Sequence, residues 1–350
     1  MIIYIENNYY AHYEIIESIL HHISFICKTI LSKDTQIYLK IQPEESFIEY
    51  ITHKYLNLNI VNDITKPREY DYYIECTLNQ LLDKREDFNL LTLDPTKHFY
   101  ISHVIYPYLR KKKNVYFLTP ICCVPRHISC TYLPFMDKPK IKTDIPIFLI
   151  AGNINAYSRN YQMLKMLLDI PTFYRYKIKL LGRSKDNSVP IGPEYNDRMI
   201  YCLNYNYIQY HHEFLDVYCV LPCFNPESNP EYYTEKISST INYIKAYQLK
   251  SIVDDQLQSI HQLERAYVYH YPYKNIVEEK KREWMDMDNH QPKKPKKKKK
   301  KNKIKKITKR DRITRRMREM ERRKKFEENY KQMFLKAIED FYLNKSINAL

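Results

Sequence analysis

The stretch NPESNPEYYTEKISSTINYIKAYQLKSIVDD, residues 225 to 255, concentrates groups able to hold a phosphorylated or hydroxylated ligand. Ser238 and Ser239 precede the helical pattern TINYIKAY and stand where an N-cap belongs. The free N–H groups and positive end of such a helix suit a diphosphate; a plain helix cap is the alternative. Lys236 is either a counter-charge to phosphate or a solvated lysine. Glu235 offers a carboxylate that accepts two hydrogen bonds from the vicinal diol of a sugar or ribose. Glu227 precedes it with seven residues between them, and Glu231 fits no role. Both acids are otherwise ordinary loop residues. Arg159 adjoins Asn160 at an expected helix start. A cation there stabilises charge developing on a leaving diphosphate without a metal; the alternative is a surface arginine. Gly152 is followed by Asn153 and Asn155, which supply polar contacts, and Gly182 ends a second apolar run. In the N-terminal half, His12 follows the first strand-like run and His103 follows HFYIS. Both stand at strand carboxyl ends, where α/β sheets line their clefts. His12 is assigned to the acceptor or sugar side and His103 to catalysis, against a structural role for each.

These residues need a scaffold, and the apolar runs supply one. MIIYI, QIYLKI, LNIV, YDYYIECTL, HFYISHVI and KNVYFLTPIC alternate with helix-like segments such as HYEIIESILHHISFICKTIL and SFIEYITHKYL. Short Val/Ile/Tyr/Phe-rich runs alternating with helices predict a parallel α/β sheet. LPFMDKPKIKTDIP then breaks the pattern with Pro and Lys. A second series follows: strand IPIFLIAG, helix SRNYQMLKMLLDI, strand YKIKLLG, a turn and strand in FLDVYCVLPC, helix SSTINYIKAYQL and strand KSIV. LQSIHQLERAYVYH reads as a further helix. The chain therefore divides into an N-terminal Rossmann-like unit (1–135), a linker (136–146), a C-terminal Rossmann-like unit (147–275), a basic low-complexity linker (276–310) and a terminal helix (311–345). The linker near Lys138 to Asp144 is expected to allow relative domain motion.

The formal net charge is +16, but its location matters more than its size. Residues 280–325 hold 24 Lys and Arg against 6 Asp and Glu, leaving 33 basic and 35 acidic residues elsewhere. The body is near neutral, and any attraction to nucleic acid or an anionic surface belongs to the tail. The run KKPKKKKKKNKIKK is expected to be disordered or weakly helical through self-repulsion. The helix after it is expected to be exposed and basic in its first half. The alternative is a purely solubilising tail.

Two consecutive Rossmann-like halves resemble the GT-B architecture, in which a ligand sits in the interdomain cleft. FLIAGNINAYSRNYQML resembles the entry to the donor-binding domain of retaining GT-B glycosyltransferases of group 1, the GT4-like kind. YKIKLLGRS resembles their next strand, and FLDVYCVLPCFNPE their Asp, apolar run and Pro-Ser-x-x-Glu stretch. Glu227 and Glu235 resemble the paired-glutamate motif, with Glu227 nearer the reacting sugar. The resemblance covers roughly residues 145 to 260. It departs from the family at Asn153, where an Arg is usual, at GRS for Gly-x-Gly, and at QLK for Gly-x-Pro. It implies a nucleotide-sugar donor, an acceptor the sequence does not select, and no metal or other cofactor. The alternative it leaves is an inactive GT-B-like binding module with a polyanion-binding tail. The Lys, Asn, Ile and Tyr bias suits an AT-rich genome such as that of a large DNA virus.

Other classes are set aside. Only Gly152, Gly182 and Gly192 occur, so the N-terminal half cannot hold a Gly-rich phosphate loop. Cys122, Cys123, His127 and Cys130 lack the C-x2-C pair of a zinc site, and the eight cysteines read as reduced, buried thiols. No Walker motif or Ser-His-Asp order occurs. No apolar run approaches the ~20 residues of a membrane span, and MIIYIENNYY lacks a signal peptide's basic region. The expectation is a cytoplasmic protein, in the host's cytoplasm if the gene is viral.

Overall fold

The computed structural model describes residues 1–7, 12–29, 35–41, 44–55, 58–60, 69–78, 94–106, 109–120, 126–129, 132–136, 143–155, 159–272, 275–289 and 309–347. In the first unit the elements are β1 (Ile2–Asn7), α1 (Tyr13–Thr29), β2 (Gln36–Ile41), α2 (Glu45–Lys54), β3 (Leu58–Ile60), β4 (Tyr72–Glu75), β5 (His98–Ser102) and β6 (Val115–Phe117). Its six strands are all parallel, in the order β3-β2-β1-β4-β5-β6.

The second unit holds β7 (Ile147–Ala151), α3 (Tyr161–Leu168), β8 (Lys177–Gly182), β9 (Met199–Leu203), α4 (Tyr207–His212), β10 (Cys219–Val220), α5 (Glu231–Thr234), α6 (Ser239–Ala246), β11 (Lys250–Asp254), α7 (Asp255–His261) and β12 (Ala266–Tyr269). Its strands run β12-β11-β10-β7-β8-β9, again all parallel. Counted from each sheet's first strand, the two orders are the same. Each reverses beside that first strand, between β1 and β4 and between β7 and β10. A doubly wound sheet opens its ligand crevice at this reversal, outside the strand carboxyl ends. Two such sheets with a cleft between them form the GT-B architecture that the sequence leads one to expect. All of β7, IFLIA, is buried, as a central strand covered by helices on both faces must be.

The units are joined by buried contacts. The Tyr207 ring of α4 packs against Phe47 at 4.7 Å and Tyr13 at 5.9 Å. Its hydroxyl donates to Glu17 Oε2 at 2.7 Å, while Tyr50 and Lys54 occupy Glu17 Oε1. The Ile105 N–H donates to the Glu235 carbonyl at 2.8 Å. Of the expected linker, residues 137–142 lie outside the described residues. Leu133 is buried, and the Pro134 carbonyl accepts from the Tyr247 hydroxyl at 2.6 Å.

Three elements differ from expectation. The segment expected as one helix from Leu257 to His270 is split. α7 ends at His261, Gln262 turns with φ 51, and AYVY forms the edge strand β12. A left-handed residue stops the helix, and the β-rich run after it pairs with β11. MIYCL forms β9, a strand absent from the sequence reading. Part of the expected low-complexity linker is α8 (Ile276–Asn289), whose Trp284 is buried in the N-terminal unit beneath Arg110. An aromatic of that size overrides the charge of its neighbours by the area it buries. Finally, α9 (Lys309–Ile347) buries Phe326, Tyr330, Phe334, Ala337 and Ile338 on the second unit, while Met317 and Met320 are exposed. No described helix is long and apolar enough to cross a membrane.

Candidate active site

The cleft between the units encloses a cavity of about 760 Å³. Of the residues singled out by sequence, His12, His103, Gly152, Asn153, Arg159, Gly182, Lys236, Ser238 and Ser239 line it. Glu227 and Glu235 do not.

On the second unit, β7 ends at Gly152, whose φ of +118° is open only to glycine. A Cβ there would lie 2.4 Å from Arg159 Nη2, and one on Gly182 would lie 1.7 Å from the Gly152 carbonyl oxygen. Both glycines therefore let the strand ends press together beneath the cavity. Arg159 is buried (5% exposed), with its guanidinium donating to the Ala151 carbonyl and to Thr240 Oγ1 at 2.9 Å. It also stacks over Phe224. Asn160 caps α3. Ser238 caps α6 by accepting from the Thr240 N–H, and Thr240 Oγ1 bonds the Ala151 carbonyl at 2.9 Å. The positive end of α6 and the Arg159 cation thus meet in the cleft. Lys236 contacts Glu231 at 3.3 Å and lies over the Tyr232 ring.

The N-terminal unit faces this end with His12 and Glu14. His12 sits at φ 69 just before α1. Glu14 Oε1 lies 3.2 Å from His12 Nδ1 and accepts from Ser239 Oγ at 2.9 Å, across the cleft. Burial by itself would raise the Glu14 pKa. Hydrogen bonds from His12 and Ser239, the His12 charge and its own backbone N–H outweigh burial and hold it at about 2. An ionised carboxylate only accepts, so the His12 Nδ1–H donates to Glu14 Oε1. The His103 ring packs against His12 at a tilt, with ring centroids 4.3 Å apart, and burial, then His12, push its pKa down to about 3. His211, also lining the cavity, is pushed to about 3 by burial and bonds Tyr247 at 3.0 Å. The site therefore holds the neutral imidazoles of His103 and His211 near the ionised Glu14 carboxylate.

The two remaining acids are placed elsewhere. The Glu227 N–H donates to Asn225 Oδ1, and its side chain faces α9, where burial and Glu319 raise its pKa while Arg323 lowers it. Glu235 ends α5 with its carboxylate 3.5 Å from Lys280 of α8. A turn at Asn225 and the short helix after Pro230 direct both acids away from the cavity.

An adjoining cavity of about 880 Å³ opens at the ends of β7, β8 and β9, where Asn153, Asn155, Arg183, Ser184, Asn204 and Glu44 line it. Sequence reasoning missed Glu14, Thr240 and Arg183. Glu14 looks like a first-turn acid favouring its own helix dipole. Thr240 had a signal, since it directly follows the Ser-Ser pair. Among the described residues no three His, Cys, Asp or Glu side chains are placed to hold a metal. Cys122, Cys123 and Cys130 lie outside the described residues, as does the side chain of Cys27; the His127 ring meets the Leu118 carbonyl at 3.3 Å. Cys76, Cys202, Cys219 and Cys223 are buried free thiols.

No protein-family model and no curated protein matches this chain. Among solved structures, the chain is similar to the E. coli heptosyltransferase WaaC with ADP, at 9% identity over 73% of this chain and 87% of that one, TM-score 0.35. It is also similar to AviGT4, a glycosyltransferase involved in avilamycin A biosynthesis, at 10% identity over 74% and 82%, TM-score 0.41. The likeness to both extends no further than the α/β architecture.

Proposed function

We propose that the cleft binds a nucleotide sugar and transfers its sugar to an acceptor. The observation that carries this reading is one juxtaposition. The N-terminal end of α6 and the buried Arg159 face His12 and Glu14 across a single cavity. The α6 end, Ser238 and Arg159 receive the diphosphate, whose charge grows as the glycosidic bond breaks, with Thr240 holding Arg159 in place. The nucleoside lies in the adjoining cavity, whose Asn and Ser side chains offer polar contacts. On the opposite wall, Glu14 orients His12 so that Nε2 takes a proton from the acceptor hydroxyl, a general-base role. His103, kept neutral, packs against that ring.

A thermal-shift and hydrolysis screen against nucleoside diphosphates and nucleotide sugars tests the reading. Stabilisation by a nucleoside diphosphate, with slow hydrolysis of the matching sugar donor, is the expected result. No stabilisation by any member of the panel refutes it. Binding without turnover on any acceptor favours the binding-module alternative, which the departure at Asn153 and the positions of Glu227 and Glu235 also favour.

A further inference from the structure

The front half of α9 serves neither the core nor the cleft. Every residue from Ile313 to Lys325 is exposed, and burial begins only at Phe326. The helix runs against the strand direction. Phe326 lies 5.6 Å from Tyr269 at the carboxyl end of β12, Phe334 lies 4.5 Å from Phe148 in β7, and the Tyr342 hydroxyl reaches the Arg175 carbonyl ahead of β8. At ~1.5 Å per residue, residues 313–325 extend about 20 Å past the strand ends, on the side where the cleft opens.

This arm carries seven Arg and Lys against two Glu. At about 100° per residue, Arg315, Arg318, Arg322 and Lys325 fall along one flank and Arg316 and Arg323 along the next. Together they cover about half the circumference. Glu319 lies within this arc, 3.5 Å from Arg315, and Arg323 also meets Glu327 at 3.1 Å. Cations spaced three and four residues apart on one flank repel each other; Glu319, Glu327, Glu328 and the nearby Glu227 offset part of that charge, and an anionic partner relieves the rest. Ile313, Met317 and Met320 form a narrow exposed stripe on the other side, with Lys324 in its line.

The breadth of the basic arc selects the partner. A flat anionic membrane meets one face of a helix, and a helix lying on its apolar stripe would turn Arg315, Arg318 and Arg322 away from the lipid. The major groove of B-DNA is about 12 Å wide, admits an α-helix and has phosphates on both walls. The narrow major groove of A-form RNA does not admit one. We propose that residues 313–325 are a docking arm that lies in the major groove of duplex DNA and binds it through phosphates. This inference stands independently of sugar transfer.

The test uses the full-length chain and the variant Arg315→Glu/Arg318→Glu/Arg322→Glu, with fluorescence anisotropy on a labelled DNA duplex over a salt series. The substituted positions are exposed, so the buried half of α9 is untouched; circular dichroism checks this. The variant should lose at least about tenfold in affinity, and its slope of log K against log salt should be shallower by about three, one unit per lost phosphate contact. The wild type should bind an RNA duplex more weakly than DNA. Ile313→Ser/Met317→Ser/Met320→Ser should bind DNA as the wild type does. A wild-type salt slope in the arginine variant would place binding elsewhere, such as the lysine run 296–301, and overturn the proposal. So would equal affinity for RNA, or binding to phosphatidylserine vesicles that the apolar triple variant loses while DNA is not bound.

Discussion

Replacing Arg159 with Ala separates the phosphate site proposed in the cleft from the one suggested by spacing. The guanidinium is buried and holds Thr240 Oγ1 at 2.9 Å and the Ala151 carbonyl. Hydrogen bonds from a charged group contribute about 1.5–3 kcal/mol each. Thr240 and Ala151 remain bonded to each other at 2.9 Å without the arginine, so no buried acceptor is orphaned. The loss of folding stability should therefore be that of the two hydrogen bonds alone, about 3–6 kcal/mol, with no added penalty for an orphaned acceptor. The loss in ligand binding is a different quantity, because the removed charge is the fixed cation behind the α6 end. Affinity for a nucleoside diphosphate should fall by about 1.5–3 kcal/mol, roughly 10- to 150-fold. Glu235→Ala is the matched control. Its carboxylate pairs with Lys280 at 3.5 Å on a partly exposed surface. Such pairs contribute about 0–1 kcal/mol to stability, and the affinity should not change. Titration calorimetry measures binding, and thermal melting confirms that both variants fold. An Arg159→Ala protein that folds and binds as tightly as the wild type refutes the phosphate site. A loss in Glu235→Ala equal to that in Arg159→Ala would restore the glutamate pair.

Three further outcomes are expected. His211 and His261 have folded pKa values near 3 against an ordinary 6.5, so the unfolded chain binds more protons between these values. Stability should fall as pH drops from about 6.5, by up to ~2.7 kcal/mol per unit with both titrating; urea midpoints unchanged between pH 7 and pH 5 would contradict neutral burial. Gly182→Ala puts a methyl 1.7 Å from the Gly152 carbonyl oxygen. Separating β7 from β8 should cost at least about 1–3 kcal/mol, and an unchanged melting temperature would show that the strand ends are not in contact. Tyr207→Phe removes the donor to the fully buried Glu17 Oε2 and should destabilise by about 1–3 kcal/mol in urea unfolding. A neutral effect would mean that the Tyr207–Glu17 hydrogen bond does not help to join the two units.

The local features of this protein were legible because they depend on neighbours in the chain. Runs such as IFLIA have no polar face and must be covered on both sides, which implies parallel strands between helices. The helix start at Asn160 and the cap at Ser238 and Ser239 were recognisable from the apolar periodicity that follows each. The concentration of charge beyond residue 280 needed only counting. Tertiary structure decided which of these local features share a site. Glu227 and Glu235 fit a spacing, but backbone turns at Asn225 and Pro230, each a matter of a few torsion angles, aim them at α9 and α8. Glu14 and Ser239 are separated by 225 residues and meet only because two sheets dock with their carboxyl ends facing. Periodicity and capping are short-range and are written in consecutive residues. The docking of two separately folded units depends on the shape and burial of whole surfaces, as with Trp284 carrying a charged helix into the opposite core, and no local pattern of residues encodes it.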